Sequence, residues 1–251
     1  MRTCRFSRGG RESFGVVEGQ KVRALTAEPW AGGLAEGPSF DLADVTLLAP
    51  VTPSKVVCVG RNYRAHAKEL GNEVPKEPLI FIKPSTSVVG PGGAIRFPEA
   101  AKELHYEAEL AAVIGRTVTR AANAAEAREA IFGWTCLDDV TARDIQRAEA
   151  HFTRAKGFDT FCPVGPVVET GIDPMDATVV CRVNGEQRQR GSTKDMVVDP
   201  YMLVVFVSHI MTLLPGDVVS TGTPEGVGAM KRGDWVEVEI PGIGILKNPV
   251  T

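Results

Sequence analysis

The chain has 251 residues, 43% of them hydrophobic, so it can bury a full core, and mostly-β folds reach this length as one unit. Its net charge is −3 and its Lys and Arg are scattered, which argues against a charge-driven nucleic-acid partner. No apolar stretch follows the basic start MRTCRFSRGG, and the most apolar run, YMLVVFVSHIMTLL at 201–214, is too short to span a bilayer, so a cytoplasmic protein without signal peptide or membrane partner is expected.

Residues 1–50 differ in texture from the rest. RTCRFS, SFGVVEG and KVRALT are short strand-like runs broken by Gly, and a Gly/Pro-rich stretch follows between Pro29 and Pro38. These predict a small N-terminal β subdomain (1–50) and a catalytic-sized remainder (51–251), joined near Pro50–Pro53. KVVCVG at 55–60 is a continuous apolar run, hence a buried strand. It opens into RNYRAHAKELG, a short helix stopped by Gly71. On that helix His66 and Glu69 are three apart and share a face. A carboxylate beside an imidazole raises its basicity, as a general base requires, although a surface His–Glu pair has the same spacing. PLIFIK is another buried strand.

The segment LHYEAELAAV alternates, so a single strand would carry His105, Glu107 and Glu109 on one face. Two carboxylates about 4 Å apart repel by roughly 4 kcal/mol at an effective dielectric near 20. A third acid, Asp139 in LDDVTARDIQ, would add to that repulsion, and a divalent cation would remove it. An all-oxygen set suits Mg²⁺ or Mn²⁺ better than Zn²⁺. By itself, an E-x-E pattern is also common on the solvated face of an edge strand.

An Ala-rich helix is predicted at about 121–131, then the strand FGWTCLDDV, then a short helix in TARDIQRAEA with Thr141 as N-cap. Lys156, in FTRAKGFDTFCP, lies in apolar company and could neutralise carboxylates or donate to a developing oxyanion; an ordinary surface lysine fits the spacing equally. TVVCRVNGEQRQR reads as a β-hairpin turning at Asn184-Gly185. Asp199-Pro200 opens a buried helix that should end near Leu214. GDVVSTG and DWVEVEI are strands, and TGTPEGVG at 221–228 is either a tight turn or a loop presenting N–H groups and Thr223 to an anion. The five cysteines are far apart with no C-x-x-C, which predicts buried, reduced thiols. Strands outnumber helices without alternating strictly with them, so a Rossmann or TIM arrangement is not expected.

Taken together, the order GRNYRAHAKE, FIKPST, HYEAELAAVIG, DDVTARDIQ, AKGFDTFCPVGP, VNGEQRQ and TGTPEGVG resembles the fumarylacetoacetate hydrolase family, especially its acylpyruvate hydrolase and oxaloacetate decarboxylase-like members. The likeness runs from about Lys55 to Val250. It implies an α+β fold that is mainly β, a mixed β-sandwich roll with a small N-terminal domain, and a homodimer. It implies Mg²⁺ or Mn²⁺ on Glu107, Glu109 and Asp139, the register being anchored at Thr141-Ala142-Arg143-Asp144 so that Asp139 rather than Asp138 is the ligand. It further implies a catalytic dyad of His66 and Glu69, the catalytic lysine Lys156, and substrate-carboxylate contacts from Arg143, Gln146, Thr223 and Lys83. Some members take a fourth acidic ligand after the buried strand; residues 61–65 contain no acid here, so three protein carboxylates are expected.

The implied reaction is metal-dependent C–C hydrolysis of an acylpyruvate-type 2-oxo acid, in which the cation stabilises an enolate and the dyad activates water. It ranks first because both halves of the dyad are present. Oxaloacetate decarboxylation or tautomerisation, and isomerisation of a 2-hydroxyhepta-2,4-diene-1,7-dioate-type diacid in aromatic catabolism, use the same enolate and remain open. A non-catalytic metal-binding protein is the rival of a different class, but it would have no need of the dyad and Lys156.

Overall fold

A computed structural model describes residues 1–251. Its centre is a twelve-stranded mixed sheet. From one edge the strands run Ser39–Asp41, Lys21–Ala24, Arg11–Glu18, Arg2–Arg8, Cys162–Glu169, Ile131–Asp138, Ala108–Ile114, Val218–Ser220, Val56–Gly60 and Leu79–Lys83. Thr46–Leu48 and Val88–Val89 pair beside this path. A four-stranded sheet (Glu186–Ser192, Thr178–Val183, Trp235–Ile240, Gly244–Pro249) packs against it, and a three-stranded one (Thr141–Ala142, Leu104–Tyr106, Gly228–Met230) lies at the site described below. The sheets are open and the fold is a mixed β roll of the expected kind, mostly strand with five short α-helices. No helix is long and apolar enough to cross a membrane.

The strand Ala108–Ile114 is buried along its whole length because both of its faces are covered. Leu110, Ala112 and Ile114 face the main core, while Ala111 and Val113 face a second, smaller core with Val56, Cys58 and Leu137. A strand with two apolar faces reads as a continuous run rather than an alternating one. Residues 1–50 join the large sheet through Arg2–Arg8, which pairs with Cys162–Glu169. The Gly/Pro-rich stretch adds to that contact: Trp30 stacks edge-to-face on Phe14 and on Phe132 of the central sheet, with centroids 5.6 and 5.9 Å away.

Local chemistry accounts for the remaining elements. Asn184 (φ +53°) and Gly185 (φ +81°) make the predicted two-residue hairpin turn, between the paired Val183 and Glu186. The Ala-rich helix spans Ala124–Ala130 and is capped by the Asn123 side chain, which accepts from the Ala125 and Glu126 amides. Asp199 caps Pro200–Ile210 in the same way. That helix stops four residues short of Leu214, because Leu213 turns away to exchange backbone hydrogen bonds with Val118. All five cysteines are free and buried.

Candidate active site

The expected strand through LHYEAELAAV breaks in two at Glu107. Leu104–Tyr106 belongs to the three-stranded sheet and Ala108–Ile114 to the large one. Asp138 makes the break possible, since its Oδ1 accepts the Glu107 N–H at 2.8 Å, while the Glu107 carbonyl accepts the Asp139 N–H at 2.9 Å. The Glu107 amide is therefore satisfied outside either ladder, as a buried N–H must be. The joint swings the Glu107 carboxylate to the place where Glu109 and Asp139 also point. One oxygen from each lies within 4.8 Å of the others, and all three residues are buried.

Cations surround this triad. Lys156 Nζ donates to Glu107 Oε2 (2.9 Å), Asp139 Oδ2 (2.5 Å) and Thr141 Oγ1 (2.8 Å). Lys83, fully buried, donates to Asp139 Oδ1 at 2.5 Å and to the Val140 carbonyl at 3.1 Å. Arg143 Nη2 donates to Glu107 Oε1. Burial opposes ionisation of Glu107, yet Lys156 and Arg143 hold its carboxyl well below the usual range. Burial likewise opposes the Lys156 ammonium, and Asp139 and Glu107 outweigh it, so its pKa is raised. Glu109 is the exception: burial and the neighbouring Asp139 charge push it well above the ordinary carboxylate value. Its Oε2 accepts from Ser220 Oγ and from Gly222 N–H (2.9 Å), whereas Oε1 takes no protein donor. A divalent cation fits this donor set: three hard oxygen ligands converge, and the one left high in pKa is the one with a free oxygen.

The triad opens through Glu107 onto a cavity of about 270 Å³, whose other polar walls include His66, Arg143, Gln146 and Lys156. Phe81 and Phe152 form an apolar wall. His66 sits in the helix Arg64–Glu69, which ends at Gly71 (φ +68°) as predicted. Its Nδ1 lies 3.5 Å from Glu69 Oε2 and has no hydrogen-bond partner. Burial lowers the His66 pKa, against the opposing charges of Glu107 and Glu69. The Glu69 carboxylate also accepts the Gly226 N–H, at 3.0 and 3.2 Å, which ties this helix to the 221–228 loop.

The structure thus brings Glu107, Lys156, His66, Arg143 and Gln146 to the walls of one cavity, with Glu109 and Asp139 converging on Glu107 behind it and Glu69 beside His66. Lys83 and Thr223 stand apart from its walls. Lys83 lies beneath Asp139, and Thr223 donates to the Ala108 carbonyl (2.9 Å) while accepting from Gln189 Nε2 (2.8 Å). Thr141 does not cap the following helix, which begins at Arg143 after Ala142; its hydroxyl donates to the Asp139 carbonyl instead. Asp138, Ser220 and Gln189 support the site; the sequence names Asp138 only as the member of its pair that is not the ligand, and does not single out Ser220 or Gln189. Gln189 accepts the Ala108 N–H at 3.0 Å, and Ser220 meets Glu109 from 111 residues away, so neither leaves a local signature. Asp138 does, as the first half of an Asp-Asp pair.

Asp138 provides a test of the ligand register. Its carboxyl is pushed up to about 7 by burial, and its Oδ2 has no partner. Asp138→Ala is expected to keep the metal but lose about 1–3 kcal/mol of stability, the cost of an unsatisfied buried amide at Glu107. Asp138→Asn, which retains the acceptor, is expected to lose less. Calorimetric Mn²⁺ titration and urea denaturation measure the two effects; loss of metal in Asp138→Ala with retention in Asp139→Ala would move the register by one residue.

Residues 55–251 match the family described as fumarylacetoacetate (FAA) hydrolase C-terminal, and residues 1–50 match Rv2993c-like, N-terminal. Human oxaloacetate tautomerase FAHD2A, mitochondrial, is 44% identical over 229 residues, 86% of this chain and 73% of that protein. The crystal structure of 5-carboxymethyl-2-hydroxymuconate delta-isomerase from Mycobacterium smegmatis is 44% identical, with a TM-score of 0.94 and coverage of 100% and 99% of the two chains. Fumarylpyruvate hydrolase from Pseudomonas aeruginosa, in complex with Mn²⁺ and pyruvate, is 34% identical with a TM-score of 0.74, covering 81% of this chain and 91% of that one.

Proposed function

The chain belongs to the fumarylacetoacetate hydrolase family, and from that premise we propose that it is a divalent-metal-dependent enzyme of 2-oxo acids whose central step is proton transfer at C3. The observation that carries this reading is the buried His66 sharing one small cavity with Glu107, Lys156 and Arg143. Glu107, Glu109 and Asp139 would hold Mg²⁺ or Mn²⁺, which supplies Lewis acidity toward the carboxylate and 2-oxo oxygens of the substrate.

The chain's own groups do the rest. Arg143 and Gln146 receive the substrate carboxylate, while Lys156, whose three N–H bonds go to Glu107, Asp139 and Thr141, fixes those groups beneath it. His66 accepts a proton from C3, and the Glu69 carboxylate stabilises the imidazolium that results. Return of that proton to oxygen or to a conjugated carbon completes a tautomerisation or an isomerisation. Both dyad residues, which rank hydrolysis first on sequence alone, serve this transfer equally. Similarity over the full chain to an isomerase, and at equal identity to an oxaloacetate tautomerase, supports ranking proton transfer first.

Hydrolysis is the second reading, favoured by the likeness to fumarylpyruvate hydrolase. There His66 would take a proton from water, the hydroxide would add to the distal carbonyl, and the C–C bond electrons would leave on C3 to be protonated as pyruvate. Turnover of oxaloacetate (enol to keto), of a 2-hydroxymuconate-type diacid and of acetylpyruvate, with and without Mg²⁺, separates the readings. Proton transfer should be the faster activity. Faster pyruvate release from acetylpyruvate would replace it with the second reading, and no metal-dependent turnover of any of the three would overturn both.

The His66 helix is proposed as a lid. It carries the dyad but no metal ligand, and a single contact, Glu69 to Gly226, joins the Glu69 carboxylate to the facing loop. With Mg²⁺ present, oxalate is expected to slow hydrogen exchange at 62–71 more than anywhere outside the metal site. Equal protection with and without oxalate would make the helix a fixed part of the scaffold. A homodimer remains part of the proposal, and sedimentation equilibrium would show it as twice the chain mass.

A further inference from the structure

Arg143 is more tightly placed than its role at the cavity wall requires. Its backbone N–H donates to the Glu103 carbonyl at 2.8 Å, fixing the first residue of its helix. Its side chain then makes three contacts. Nη1 donates to Gln146 Oε1, Nη2 to Glu107 Oε1, and Nε to Nδ1 of His105 at 3.4 Å. A guanidinium carries five N–H bonds and no acceptor, so two N–H bonds remain for a ligand in the cavity.

The His105 contact determines the state of that ring. The Arg143 Nε–H can only donate, so Nδ1 of His105 must present a lone pair. The proton then sits on Nε2, which lies 2.7 Å from Glu103 Oε1 and donates to it. Glu103 is held in turn by Arg147 Nη1 at 2.7 Å. His105 itself is buried in the middle strand of the three-stranded sheet, paired with Thr141 on one side and Ala229 on the other. The chain of contacts runs from a surface ion pair, through one imidazole, to the side of the guanidinium away from Gln146.

We propose that His105 is a positioning residue: as a neutral Nε2–H imidazole clamped by Glu103, it sets the plane of the Arg143 guanidinium and so the affinity for the substrate carboxylate. This rests on the reading of Arg143 as the carboxylate receptor given above. His105 touches neither the metal triad nor the cavity; it acts through Arg143.

The atoms of the contact suggest how to separate this role from simple core filling. In His105→Asn, the amide oxygen occupies nearly the place of Nδ1 and can accept from Arg143 Nε. In His105→Leu nothing can. His105→Leu is expected to raise KM for the oxo acid about tenfold or more, as loss of a hydrogen bond to a charged group implies, with kcat changed less than about threefold. His105→Asn should bring KM back to within about threefold of the native value. Long-range ¹H–¹⁵N correlation of the native protein reads the ring directly: Nε2 protonated and Nδ1 bare, with the Nδ1 shift moving in Arg143→Met. Equal KM values for the two His105 variants, a loss confined to kcat, or a ring protonated on Nδ1 would each overturn the proposal. The ring measurement needs no turnover, so it decides the His105 contact even if no 2-oxo acid proves to be a substrate. If His105→Leu does not fold, His105→Asn and the native spectrum still distinguish positioning from core filling.

Discussion

Glu109→Gln is expected to abolish metal binding and activity together while leaving the fold intact. Oε2 of Glu109 is fixed by two donors, Ser220 Oγ–H and Gly222 N–H. A glutamine keeps its single acceptor for that pair and turns an NH₂ group toward Glu107 and Asp139. The cation site then loses one ligand and one negative charge and gains a donor where a lone pair is needed. Outer-shell partners of metal ligands cost 10–100-fold in affinity when removed, so a direct ligand should cost at least about 10²-fold. The metal-free protein should be no less stable than the native chain. Burial and Asp139 already push the Glu109 carboxyl well above its ordinary value, so a neutral amide relieves a strained charge. Mn²⁺ calorimetry, turnover and thermal unfolding give the three readings. A Glu109→Gln variant that still binds Mn²⁺ tightly and turns over would show that this triad is not the metal centre.

His66→Ala comes second in size. General bases contribute about 10²–10⁴-fold, and a loss in that range is expected for proton transfer at C3 or for hydrolysis, with Mn²⁺ binding unchanged. Decarboxylation of oxaloacetate should suffer much less, because departure of CO₂ needs no base. Equal losses on both substrates would mean that His66 acts on binding instead. The pH profile carries the sign. His66 works as a base only when neutral, and burial lowers its folded pKa below the ordinary value. Activity should therefore hold as pH falls through the usual histidine range near ~6.5 and drop only below it. In His66→Ala that acid limb should vanish with the bulk of the rate.

Features decided by neighbours along the chain are legible in the sequence. The Asn184-Gly185 turn, the helix start at Asp199-Pro200 and the Gly71 stop each depend on a few adjacent dihedrals and one side chain within reach. The i, i+3 spacing of His66 and Glu69 is also local, since a single helical turn delivers it. Glu107, Glu109 and Asp139 can be named as a set from the order of motifs, without any distance between them.

Tertiary structure alone decided how those acids meet. Alternation puts Glu107 on the same continuous strand as Glu109, yet the chain breaks there because Asp138, 31 residues on, satisfies the Glu107 amide. Lys83 reads as a substrate contact and is a buried counterion of Asp139, since the edge strand carrying it runs beneath the site. Thr141 reads as a helix cap and binds the Asp139 carbonyl, because the strand pairing of Thr141 with His105 delays the helix to Arg143. The 201–214 run is mostly apolar to its end, but its last residues exchange helix for a bridge to Val118. Hydrogen bonds and charge pairs between distant segments are set by how sheets stack. Residue order determined which groups this protein has, and the packing of three sheets determined which of them share a charge, a proton or a wall.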